Sequence, residues 1–310
     1  MNIKNTLLFT AVILLFSLSA CKKSKNEPAP SDNYTSLANF YSVNGVPMQT
    51  YTVNGTTGGS FTTPQGTVVS IPANCFITPG NNPATGTITI SFKDIYKKSD
   101  MLLSNMPTNF FNGAPLKSGG EFFIQANLGD SALQIAPGNR ISITQLVQAN
   151  QTTDPAMKAM VISLDSLAWY LSQQDTVLIN DKNYVYNLYQ FGIPASAGTW
   201  CNSDNSTYFS AYNQTTITMN GLTNYFGANV FLVFTDVNSM VHVYYNFSND
   251  NYPYQYAPVG LKCTAVAFSV QNGKLYSSFV PITISDNLDV TFSMSETTSA
   301  DFKAQLNTLN

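Results

Sequence analysis

The sequence predicts an all-β fold, and three observations carry the prediction. Short runs alternate apolar and polar residues, as in Gly86-Thr87-Ile88-Thr89-Ile90-Ser91-Phe92, the period-two pattern of a half-buried strand. Gly, Asn and Pro punctuate these runs, while windows with helical spacing of apolar residues are scarce. Charged residues make up only 10% of the chain whereas Tyr and Phe number 17 and 20, and hydroxylated, β-branched and aromatic side chains suit a pleated surface. Strands that follow one another without intervening helices favour antiparallel sandwiches over βαβ units. We therefore expect two β-sandwich domains, a short bridging segment between them and a short C-terminal helix.

Residues 1–20 read as a signal peptide. Lys4 precedes an apolar run from Leu7 to Leu18, and Leu18-Ser19-Ala20-Cys21 places small residues before a cysteine. The run is shorter than the ~20 apolar residues that a membrane-spanning helix needs. The tetrapeptide resembles the lipobox of a bacterial lipoprotein. That resemblance implies cleavage before Cys21, a diacylglycerol on its sulfur and an acyl chain such as palmitate on its nitrogen. Two or three chains, at about 0.8 kcal/mol per buried methylene, anchor a protein almost irreversibly.

Residues 21–33 are polar, contain Pro28 and Pro30 and lack large apolar groups, so they are expected to form a flexible tether. Its reach is on the order of 20 Å, which would set the first domain close to the membrane surface. Lys22-Lys23-Ser24-Lys25 suits anionic headgroups. It departs from the acidic export signal that follows the lipidated cysteine in some surface-exposed bacterial lipoproteins, so the periplasmic and surface faces of the outer membrane both stay open.

The first domain is expected over 34–149. Thr67–Ile71, Gly86–Phe92, Glu121–Ala126 and Arg140–Thr144 read as strands, and Tyr96–Leu103 as one helical turn. Pro64 and Gly66 make a tight turn before Thr67, and Pro72 ends the strand by removing a ladder donor. The stretch Gly58 to Asn74, with its Gly-Gly pair, Pro-x-Gly turn and terminal Ile-Pro, resembles the opening of the ZU-five domain of netrin receptors and ankyrins. Lys93 to Asn105 and Gly113 to Phe122 resemble uncharacterised Bacteroidetes lipoproteins that carry a ZU-five-like module near the N-terminus. The resemblance implies a fold, a lineage and a compartment, and brings no catalytic residues.

Residues 150–185 mix periods and read as an irregular or partly helical bridge that Ser163 or Asp165 would cap. The second domain, 186–310, is expected to be an immunoglobulin-like sandwich. Its strands are Thr215–Met219, Asn229–Phe234, Val241–Tyr245, Cys263–Val270, Lys274–Phe279 and Val290–Met294. Asn272-Gly273 is a two-residue hairpin signal, and Phe302, Leu306 and Leu309 mark the C-terminal helix.

Chemistry has few supports in this chain. His242 is the only histidine and sits in an alternating strand; Gly-x-Ser-x-Gly and His-Glu-x-x-His motifs are absent. Outside the tether the glutamates are Glu121 and Glu296, and Glu121, after Gly119-Gly120, reads as structural. Asn202–Asn205 and Asn249–Asn251 read as plain turns, without the spacing of a calcium loop, so no metal or other cofactor is expected. Lipidation of Cys21 leaves Cys75, Cys201 and Cys263; an oxidising envelope would permit a Cys201–Cys263 bridge, and buried free thiols are the alternative.

A net charge of −3 provides no basic field for phosphates, so nucleic acid is not an expected partner. Recognition is suggested by one stretch, in which Tyr245, Asn249, Asp250, Tyr252, Tyr254 and Tyr256 combine rings with amides and a carboxylate that could take sugars or a protein. The competing and favoured reading packs alternate rings into the core. The function expected is therefore a membrane-anchored envelope lipoprotein that binds or scaffolds without catalysis. The alternative is a carbohydrate-binding or carbohydrate-processing surface component. Its expected partners are the membrane, through the lipid anchor, and either a glycan or an envelope protein.

Overall fold

The computed structural model describes residues 32–147, 152–163, 167–192 and 194–310, so the expected signal peptide, the lipidation candidate Cys21 and the expected tether lie outside the described residues. Residues Asp32–Asn310 form one compact, mostly β unit. Its first part contains α1 (Leu37–Asn44), β1 (Gln49–Asn54), β2 (Gly59–Thr62), β3 (Val68–Ile71), β4 (Phe76–Ile77), β5 (Thr87–Ile95) and α2 (Lys98–Leu103). There follow β6 (Lys117–Leu128), β7 (Ser131–Ala132), β8 (Gln134–Ile135), β9 (Ile141–Leu146), β10 (Lys158–Ser163) and β11 (Ala168–Leu171). Then come β12 (Thr176–Asn180), β13 (Asn183–Leu188), β14 (Thr199–Asn205), β15 (Gln214–Asn220), β16 (Asn229–Phe234) and β17 (Met240–Val243). The chain closes with β18 (Tyr252–Pro258), β19 (Lys262–Gln271), β20 (Lys274–Thr283), β21 (Asp289–Thr291), β22 (Ser295–Thr297) and α3 (Ser299–Asn307).

Two sheets enclose the first core. One has the order β1-β5-β6-β14-β10-β11, the other β12-β13-β9-β3-β2. Alternation sends Ile88, Ile90 and Phe92 of β5, Phe122 and Ile124 of β6, and Ile141 and Ile143 of β9 into the shared interior. The Gly58 to Ile71 stretch forms the β2–β3 hairpin, and Gly58 holds φ +71 where an added Cβ would meet the Ile71 carbonyl at 2.3 Å.

A second core lies between β18-β15-β21, in which β15 and β21 run parallel, and β17-β16-β19-β20-β22. The latter sheet is buried on both faces. Val230, Leu232 and Phe234 face the second core, whereas Phe231 and Val233 enter a third with Val266 and Phe268, Met160 and Trp169 of the first sheet, and Phe40, Leu102 and Phe302 of the helices. Double-sided burial explains why Val230–Phe234 is an unbroken apolar run instead of an alternating one.

Short local devices fix the ends. Ser36 Oγ accepts from Asn39 N at 3.1 Å and caps α1, and Thr298 Oγ1 accepts from Asp301 N at 3.1 Å and caps α3. Asn272 (φ 51) and Gly273 (φ 83) form the predicted tight turn between β19 and β20. Asp32 accepts from the Ser299 backbone and hydroxyl, and Tyr34 N donates to Gly273 O at 3.0 Å. The start of the described chain is therefore held by the β19–β20 turn and α3, elements of the expected second domain.

Several expectations change. The stretch expected to bridge two domains as irregular or partly helical chain is, in its described residues, three strands, β10, β11 and β12, the first two of which extend the first sheet. β13 pairs with β9 and β14 lies inside the first sheet, so the sheets do not divide at 149 and 186. Their sequences misled because β10 is covered on both faces and β14 is polar. Asn202, Ser203 and Asp204, read as a turn, are fully buried. Ser118 Oγ donates to Asn202 Oδ1 at 2.9 Å and Ser203 Oγ to Gln145 Oε1 at 2.6 Å, which offsets part of the burial cost. The Cys201–Cys263 bridge is not formed. Cys201 points from β14 into the first core with Cys75, and Cys263 from β19 into the second, and all three are buried free thiols.

Candidate ligand-binding groove

A groove of about 600 Å³ opens where the ends of β10 and β11, the turn after β11, the segment following β13 and the start of β14 meet. Its apolar lining includes Val161, Ile162, Leu171 and Phe191, together with the partly exposed Trp200. The amides of Gln173, Gln174 and Gln190 are exposed around it. Asp175 is the one ionisable side chain in the lining, and it is committed to the fold. Its Oδ2 accepts from Ser172 Oγ at 2.8 Å and lies 3.1 Å from the Tyr186 hydroxyl, while Oδ1 accepts from Tyr189 N at 2.9 Å. Burial raises its carboxyl above the ordinary value, and these hydrogen bonds oppose the rise. Lys93 Nζ sits 5.8 Å from the Trp200 ring centroid. The arrangement can donate and accept hydrogen bonds at several amides beside apolar side chains.

The residues singled out in the sequence divide. Tyr245, Asp250 and Tyr252 line a separate cleft of about 210 Å³ with Phe226, His242, Tyr244 and Phe247. There Tyr245 donates its hydroxyl to Asp250 Oδ1 at 2.5 Å. Tyr252 and Tyr254 are buried in the second core, where their hydroxyls bond Ala228 O at 3.0 Å and Gly113 O at 3.1 Å. Tyr256 packs against the same core, and Asn249 is exposed outside the cleft. The six residues therefore do not form one surface. The groove was missed because Gln173-Gln174-Asp175 lay in the stretch read as a bridge; an amide pair beside a strand end was the available signal.

Catalytic candidates are placed away from the groove. His242 packs against Phe231 and Tyr244 at ring distances of 4.9 and 4.6 Å, and burial pushes its imidazole down to about 4. Glu121 and Asp204 are fully buried and line neither groove nor cleft. Glu296 is an exposed partner of Lys274 at 2.8 Å. Among the described residues, no three His, Cys, Asp or Glu side chains gather as a metal site, and no helix is long and apolar enough to cross a membrane.

No family model, curated protein or solved structure matches this chain. Its functional reading therefore rests on the residues and their geometry.

Proposed function

We propose that this chain is a lipid-anchored, non-catalytic binding protein of the bacterial envelope, of Bacteroidetes type and with a ZU-five-like first module. The anchor reading rests on Leu18-Ser19-Ala20-Cys21, and the module on Gly58 to Asn74. The groove walled by Trp200 is the binding site, and its ligand is a neutral, polyhydroxylated chain such as a glycan. The observation that carries this reading is the lining itself. Three exposed glutamine amides share the lining with apolar side chains, and its only carboxylate is tied up internally, so charge offers a ligand little and hydroxyl recognition offers it much.

The test is a polysaccharide and glycan-array comparison of the mature chain bearing Cys21→Ser with the same chain carrying Gln174→Ala and Gln190→Ala. Both glutamines are exposed, so melting should not change. Loss of roughly tenfold or more in affinity, equivalent to about 1.4 kcal/mol, supports the groove. Undiminished binding removes the groove, and absence of any glycan binding by the folded parent directs the search to envelope proteins.

A further inference from the structure

We propose that one loop end of the sheet β17-β16-β19-β20-β22 seats against the bilayer, with Phe226 and Phe247 as the inserted side chains. The inference rests on the lipid-anchor reading. In an antiparallel sheet the start of β16, the end of β17, the end of β19 and the start of β20 share one end. The loops there are 221–228, 244–251 and the turn at Asn272-Gly273. Phe226 is 87% exposed, Phe247 82% and Tyr244 53%, and the three rings border the same cleft. Large aromatic side chains so far into water are unusual on a folded surface, and rings of this type belong at a membrane–water interface.

The start of the described chain identifies what covers them. Tyr34 N donates to Gly273 O, Gln271 Nε2 donates to Phe226 O at 3.1 Å, and Asn229 Nδ2 donates to the Tyr41 hydroxyl. Residues 32–41 thus lie beside the same loops. From Cys21 to Ser31 there are eleven residues, and the tether expected from their sequence has a reach on the order of 20 Å. With Cys21 lipidated, residue 32 lies no further than that reach from the headgroups. Lys22, Lys23 and Lys25 add attraction to an anionic leaflet. Docking here leaves the Trp200 groove, which draws on none of these loops, available to a ligand.

The experiment uses the full chain, lipidated in a bacterial host and reconstituted into phosphatidylethanolamine–phosphatidylglycerol vesicles with or without bromine on the acyl chains. Phe226→Trp, Phe247→Trp and, on β12, Leu178→Trp, a residue 57% exposed, are compared after subtracting the parental emission of Trp169 and Trp200. The indoles introduced at 226 and 247 should lose roughly half their emission to the bromolipid, and the one at 178 almost none. Equal quenching at all three positions in lipidated protein overturns the docking and leaves the anchor standing. Membrane fractionation unchanged by Cys21→Ser removes the anchor reading, and the docking with it.

Discussion

The Thr67 hydroxyl donates to Asp94 Oδ2 at 2.6 Å, with both residues fully buried. Thr63 donates to the same oxygen at 2.6 Å, and Gln49 and Gln65 approach Oδ1. Because Thr67 has one proton and gives it to Asp94, the Tyr96 hydroxyl, 2.6 Å away, donates to Thr67. The turn Thr63-Pro64-Gln65-Gly66-Thr67 is thereby wrapped around a carboxylate from β5. Asp94→Ala strands these donors and should cost about 3 kcal/mol, read as a lower urea midpoint. A loss under about 1 kcal/mol would mean that the turn holds without its carboxylate.

Burial first, and the neighbouring Asp204 second, push Glu121 well above its ordinary 4.5; burial lifts Asp204 well above 3.8. Glu121 has no hydrogen-bond partner among the described residues, and at Asp204 the nearby Ser118 hydroxyl, which donates to Asn202, opposes the rise only in part. A raised folded value means that the folded state holds protons the unfolded chain releases. This contribution is complete below the ordinary values and is lost as pH rises towards the folded ones, by about 1.4 kcal/mol per pH unit for each group. Stability should therefore begin to fall as pH rises above about 4.5, and Glu121→Gln should flatten the fall in chemical-denaturation series.

His242 has the opposite sign. Its value is lowered by burial to about 4, so its contribution is present above 6.5 and is lost as pH falls towards 4. Being the only histidine, it gives one assignable imidazole signal. That signal should titrate near 4 in proton NMR of the folded protein; a midpoint near 6.5 would place the ring in water.

Burial raises the Cys75 and Cys263 thiols to about 12 and Cys201 well above its ordinary value. A chromogenic disulfide reagent should find none of them in the native mature protein and all three after denaturation, and reductant should leave the melting temperature unchanged. A single reactive thiol in denaturant would restore the Cys201–Cys263 bridge.

Tyr254→Ala removes a ring from the second core and should cost about 3 kcal/mol without altering ligand binding at the Trp200 groove. Tyr254→Phe isolates the bond to Gly113 O and should cost about 1 kcal/mol. Thermal melts with parallel binding assays separate the two effects.

The sequence by itself determined the all-β class, the Pro64–Gly66 turn with the strand that follows it, the Asn272-Gly273 turn and the C-terminal helix. These depend on contacts between near neighbours: period-two alternation, positive φ at Asn and Gly, and a Thr cap. Only the tertiary structure decided where β14 and β10 go. A strand reading Asn202-Ser203-Asp204-Asn205 has no apolar face to display, and it is buried because Ser118, Gln145 and Asp154 arrive from distant segments to bond it. The same long-range placement sends Cys201 and Cys263 into different cores, turns Tyr252 and Tyr254 inward, and assembles the groove from four segments. Spacing along a chain cannot encode partners that the sheet order alone brings together.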